Sequence, residues 1–144
     1  MQRTKNAIKT LAAVFAAVLI VFALAVLPNR LAFRGGESYS FYVGNTSKNC
    51  RVVTASGDKA ALTRLTLKGV CGESATYSSF DWQAYLEQVN GTVLFVEELS
   101  DSTNYYCKAD LPYSVELYSQ KVNLHICVKD GSVTVGTPII FGGY

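Results

Sequence analysis

Four cysteines, one histidine and nine tyrosines carry most of the side-chain chemistry in this 144-residue chain. His125 and Cys127 lie two positions apart in "KVNLHICVK" (121–129), so on a strand they point to the same face. A cysteine beside a histidine is the raw material of a thiol nucleophile and its base. Catalysis also needs a group that orients the base and an oxyanion hole, and the sequence marks neither. No catalytic residue is therefore assigned, and His125 is expected at the surface, on an edge or solvent-facing strand. The acidic pair Glu97-Glu98 offers the carboxylates of a glycosidase, but adjacent strand residues face opposite ways and cannot act as a pair.

Cys50, Cys71, Cys107 and Cys127 are widely and irregularly spaced, without the close pairs of a zinc site. No metal and no cofactor is expected. In an oxidising compartment an even number of cysteines suggests disulfides, with three pairings open. The alternative is that Cys71 and Cys107 are small buried hydrophobes with free thiols. Tyrosines recur on several strand-like segments. If exposed, Tyr39, Tyr42, Tyr105, Tyr106 and Tyr118, with His125, would form a ligand or partner surface; if buried, they are core with bonded hydroxyls.

The compartment follows from the N-terminus. "LAAVFAAVLIVFALAVL" (11–27) has no polar side chain, and a bilayer core needs ~20 apolar residues as a helix. Arg3, Lys5 and Lys9 precede it and favour a cytoplasmic N-terminus. We expect a cytoplasmic stub (1–9), a transmembrane signal anchor (10–28), a linker made flexible by Gly35-Gly36 (29–37) and one extracytoplasmic domain (38–144). A second reading is a cleavable signal peptide processed near Ala25, after Ala23-Leu24-Ala25, which would release the domain. Residues 38–144 hold eight Lys/Arg against ten Asp/Glu, a net charge of −2. That balance gives no basic face for phosphates and argues against nucleic acid as a partner.

Strand patterns dominate the domain. "SYSFYVG" (38–44) and "CRVVTAS" (50–56) flank the polar turn "NTSKN" and predict a hairpin. "LTRLTLKGVCGESATY" (62–77) reads as extended. One helix is predicted in "SSFDWQAYLEQVNG", capped by Ser78 or Ser79 and ended by Asn90-Gly91, with Trp82, Tyr85, Leu86 and Val89 on one face. "TVLFVEE" (92–98) has the apolar run of a central strand. "TNYYCKA", "YSVELYS" and "KVNLHICVK" follow, then a tight turn at Asp130-Gly131 and "SVTVGTPIIFGGY". Pro138 interrupts this last strand, whose burial would tie the C-terminus into the sheet. The pattern is an α+β domain of antiparallel strands with a single helix packed on one face of the sheet.

"KGVCGESATY" (68–77), "NYYCKADLP" (104–112), "VNLHICVKDG" (122–131) and "GTPIIFGGY" (136–144) resemble segments of small membrane-anchored clostridial proteins. Those proteins are similar to the YwmB-type family of Firmicutes, and the resemblance covers roughly residues 67–144. It implies a fold like that of the TATA-box-binding protein and an anchored topology, and no reaction. The expected role is a non-enzymatic binding or protein-interaction module at the cell envelope. The alternatives are a peptidoglycan-binding module using a tyrosine platform, or a small hydrolase.

Overall fold

The computed structural model describes residues 2–26, 30–44 and 49–141. The apolar N-terminal run forms one helix, α1 (Gln2–Val26). Its segment Asn6–Ala25 is 20 residues long, has a mean hydropathy of 2.5 and is long and apolar enough to cross a membrane. The end of the expected span, residues 27–29, lies outside the described residues, as do residues 45–48 of the first turn and residues 142–144.

The hairpin predicted over 38–56 forms, but segment 113–119 does not join the main sheet. β1 (Ser38–Val43) and β2 (Arg51–Ser56) form an antiparallel hairpin. β3 is Val70–Tyr77, β4 Thr92–Glu98, β5 Ser102–Lys108, β8 Leu124–Lys129 and β9 Ser132–Thr137. Together they make one seven-stranded sheet in the order β2-β1-β3-β9-β8-β5-β4, antiparallel throughout. Gly131, at a φ of 75°, closes the tight β8–β9 turn. A separate two-stranded ribbon pairs β6 (Val115–Leu117) with β7 (Gln120–Val122).

Two helices, not one, cover a single face of the sheet. α3 (Trp82–Gln88) presents Trp82, Tyr85 and Leu86, with Val89 following, to the core formed by Tyr39, Phe41, Tyr77, Leu124 and Ile126. Trp82 stacks on Tyr105 with ring centroids 4.3 Å apart. Its cap is Asp81, whose carboxylate accepts the Ala84 N–H at 3.0 Å, rather than Ser78 or Ser79. Ser78 instead donates to Glu37. Asn90, at a φ of 50°, turns the chain out of the helix. The second helix, α2 (Gly57–Thr66), takes up residues 62–66 that the sequence reading made extended. It packs on β1 and β2 through Ala60.

Three further expectations change. The run 92–98 is an edge strand, because β4 pairs only with β5. The expected linker is folded onto the domain where it is described, from Arg30 to Glu37: Phe33 is 1% exposed and belongs to the core, and Leu31 and Ala32 pack against it. The sheet ends at Thr137, and Pro138–Phe141 cross the face opposite the helices instead of extending β9.

Two glycines make room for that crossing. A Cβ on Gly136 would stand 2.8 Å from Ile140, and one on Gly72 would stand 2.7 Å from the Thr137 carbonyl oxygen and 2.9 Å from Pro138. Backbone cannot yield as a side-chain tip can. Gly72→Ala is therefore expected to destabilise the domain by about 1–3 kcal/mol, the usual cost of overpacking. Equilibrium urea denaturation checks this, and an unchanged midpoint would show that the segment is not seated on Gly72.

Candidate functional site

The face of the sheet away from the helices carries a row of rings built by strand register. Tyr106 on β5 stands opposite His125 on β8, and Phe95 on β4 stands opposite Tyr106. Side chains on adjacent strands at these positions are close enough to stack. Tyr106 stacks on His125 at 4.4 Å and on Phe95 at 4.5 Å, and Tyr118 meets Phe95 edge-on at 5.6 Å. Tyr118 comes from the turn of the β6–β7 ribbon and has a positive φ of 49°. Glu97 lies two residues beyond Phe95 and accepts the Tyr106 hydroxyl at 3.2 Å.

Along this row lies a cavity of about 680 Å³. Phe95, Glu97, Tyr106 and His125 contribute from the sheet. Glu116, Leu117 and Tyr118 contribute from the ribbon, and Ile139 and Ile140 from the C-terminal segment. The volume falls within the ~300–1,000 Å³ usual for small-ligand sites.

His125 is buried, 2% exposed, and not on a solvent-facing strand as expected. The alternation of β8 was read correctly, but the chain's own C-terminal segment covers the second face. The Ile140 N–H donates to His125 Nδ1 at 3.2 Å, which makes Nδ1 the unprotonated nitrogen. Nε2–H then donates to Asn104 Oδ1 at 3.0 Å. Burial pushes the His125 pKa down to about 4, so the ring is neutral. Asn104 is itself fully buried, and its Nδ2 has no hydrogen-bond partner among the described residues.

The tyrosines divide between layers. Tyr39 is buried on the helix side, where its hydroxyl donates to the Phe33 carbonyl at 3.1 Å and accepts the Gly36 N–H at 3.0 Å. Tyr105 is half-buried beneath Trp82. Tyr42 is buried on the opposite face, bonded to Ser74 at 2.9 Å and to the Phe141 N–H at 3.1 Å. Its ring meets Phe141 edge-on at 4.9 Å. Of the six residues proposed as a surface, the structure gathers Tyr106, Tyr118 and His125 at the cavity. Tyr39 and Tyr105 belong to the core, and Tyr42 holds down the C-terminal segment.

Cys50 and Cys71 are exposed, Cys107 and Cys127 are buried, and all four are free thiols. No disulfide forms, so the free-thiol alternative holds for Cys71 and Cys107, but of these two only Cys107 is buried. Burial pushes the Cys107 thiol up to about 12 and raises that of Cys127 as well. Cys127 shares a face with His125, but both ring nitrogens of His125 are engaged by Ile140 and Asn104. The pair therefore lacks the thiolate and the base of a nucleophilic site. Among the described residues no group of three or more His, Cys, Asp or Glu could hold a metal ion.

Sequence reading missed Phe95, Glu116, Leu117, Ile139 and Ile140 as site residues, and set Glu97 aside together with Glu98. Period-two alternation puts Phe95 and Glu97 on one face of β4, which was a usable signal. Nothing local said which strand or ribbon would stand beside them. No protein-family model, no curated protein and no solved structure matches this chain.

Proposed function

We propose that this chain is a membrane-anchored, extracytoplasmic binding module without enzymatic activity, which receives a ligand or a segment of a partner in the cavity beside the ring row. The observation that carries this reading is the cavity itself: it is concave, partly apolar, edged by a few polar groups, and its one histidine has both nitrogens engaged. α1 supplies the anchor, and Arg3, Lys5 and Lys9 favour a cytoplasmic N-terminus with the domain outside. Membrane fractions should contain the intact-mass chain, with its domain open to protease added from outside. Recovery only as a soluble form starting after Ala25 would replace the anchor with a cleaved signal peptide.

The binding reading is tested by mapping where the full chain, in detergent micelles, responds to size-fractionated soluble fragments of the cell envelope. Amide shifts should centre on residues 95–97, 116–118 and 139–140, and a response elsewhere or none at all would count against the cavity. Tyr118→Ala is expected to reduce that response while changing stability by no more than about 0.5 kcal/mol, since the side chain is 87% exposed. A wall-glycan reading has one observation in its favour, this exposed ring of Tyr118. The faces of Tyr106 and Phe95 are covered by stacking, which leaves little platform for a sugar. Kinship with the YwmB-type family is also a proposal. It is supported by resembling segments that reach β3, β9, β8 and β5, four strands contiguous in the sheet.

A further inference from the structure

We infer that the cavity recognises an alkylammonium group on an apolar stem, the chemistry of a lysine-type side chain. This rests on the binding-module reading and names its ligand class.

Two carboxylates, Glu97 from β4 and Glu116 from the β6–β7 ribbon, line the cavity, and among the described residues no lysine or arginine lines it. His125 stays neutral through burial and adds no positive charge. Lys121 stands opposite Glu116 in the ribbon register, yet no ion pair joins them among the described residues. Glu97 accepts one hydrogen bond from Tyr106, and a carboxylate has acceptor sites for several more.

A bare cation would satisfy the charges but not the rest of the lining. Leu117, Ile139 and Ile140 offer apolar surface that a methylene stem would cover. The exposed ring of Tyr118 stands at the rim, where an aromatic face attracts an ammonium within about 6 Å. Anionic ligands are disfavoured, because they would bring a third negative charge into a space already holding two carboxylates. The cavity is far larger than one ammonium group, which fits a short peptide carrying the cation better than a free amine.

The test is a titration of the full chain in neutral detergent micelles with Nα-acetyl-lysine amide, its Nε-trimethyl form and Nα-acetyl-norleucine amide. The lysine probe should shift residues 95–97 and 116–118, and the uncharged norleucine probe should bind at least about tenfold more weakly. Glu97→Gln and Glu116→Gln should each weaken the lysine probe by about tenfold, and raising salt should do the same progressively. Both glutamates are exposed, so these variants keep the fold, which an unchanged urea midpoint verifies. Tighter binding of the trimethyl form would support the inference and identify a quaternary ammonium ligand; tighter binding of lysine would identify a primary amine. Equal binding of lysine and norleucine probes, no shift with any ammonium probe, or glutamine variants that bind like the parent would overturn it. Envelope fragments that shift the cavity when the lysine probe does not would defeat this inference and leave the binding-module reading standing. Silence from both would defeat both.

Discussion

Replacing Glu73 by alanine is expected to cost about 3–5 kcal/mol, the range for breaking a buried charged network by removing one member. Small domains hold only about 5–15 kcal/mol in total, so this single change approaches unfolding. Glu73 is 1% exposed on β3. Its Oε1 accepts the N–H groups of Ala32 at 2.7 Å and Phe33 at 3.3 Å, and its Oε2 lies 3.8 Å from Arg64 Nε on α2. One carboxylate thus ties the segment entering the domain, the sheet and a helix together. Alanine would leave the Ala32 and Phe33 amides without their acceptor and remove the carboxylate that faces the buried Arg64 Nε. Burial pushes the Glu73 pKa up, and the two amides and Arg64 only partly oppose this. A carboxyl raised in the fold contributes more stability as the pH falls, so the charged form is the strained one at neutral pH. Glu73→Gln keeps an acceptor for the amides and is expected to cost clearly less, on the order of 1 kcal/mol. Urea denaturation of the full chain in micelles, followed by Trp82 fluorescence, measures both variants. An alanine variant within about 1 kcal/mol of the parent would show that the carboxylate does not hold these elements together.

The second large effect is acid destabilisation through His125. Its pKa falls from an ordinary 6.5 to about 4 because burial penalises the charged ring. The fold accepts the neutral imidazole, so the contribution is complete above pH 6.5 and is lost as pH falls toward about 4. The size is about 3 kcal/mol at one unit per 1.36 kcal/mol. Protonation also turns Nδ1 from acceptor into donor, which removes the partner of the Ile140 N–H. The C-terminal segment should therefore loosen in the same pH range, and the cavity wall formed by Ile139 and Ile140 with it. His125→Gln cannot titrate there. The difference in unfolding free energy between parent and variant should change by about 3 kcal/mol between pH 7 and pH 4, while acid effects of other groups cancel. Parallel acid limbs for the two proteins would rule out His125 as the cause.

Much of the sheet was legible because its segments obey simple periods. The alternation of 124–129, the turn at Asp130-Gly131 and the spacing of Trp82, Tyr85, Leu86 and Val89 all report local geometry, and the structure keeps them, whereas the run predicted over 121–129 breaks at Asn123, with Lys121 and Val122 in the ribbon strand β7. α2 was not legible for equally local reasons. Only Ala60 is fully buried, Leu62 and Leu65 are exposed, and Ser56 makes no side-chain cap. The helix is held by tertiary packing on β1 and β2 rather than by a strong pattern of its own. β4 looked central because its run is apolar, yet Val93 and Val96 are exposed on an edge. The site was the least legible part. His125, Tyr106 and Phe95 belong to three strands, Glu116 to a ribbon and Ile140 to the C-terminal segment. Only the sheet order and the fold-back after Thr137 bring them together.

The packing of Ala32 and Phe33 limits how far the domain can lie from the end of α1. From Val26 at the end of α1 to Arg30 there are four Cα steps, which span at most about 14 Å at full stretch. A flexible stretch through Glu37 would have more than doubled that leash. If α1 is held in a membrane, as proposed, the domain would stay in a shallow layer and meet targets by sliding in two dimensions. A ligand of the cavity would then have to reside at, or be delivered to, that same layer. Cutting the Glu73 clamp would lengthen the leash as well as weaken the fold.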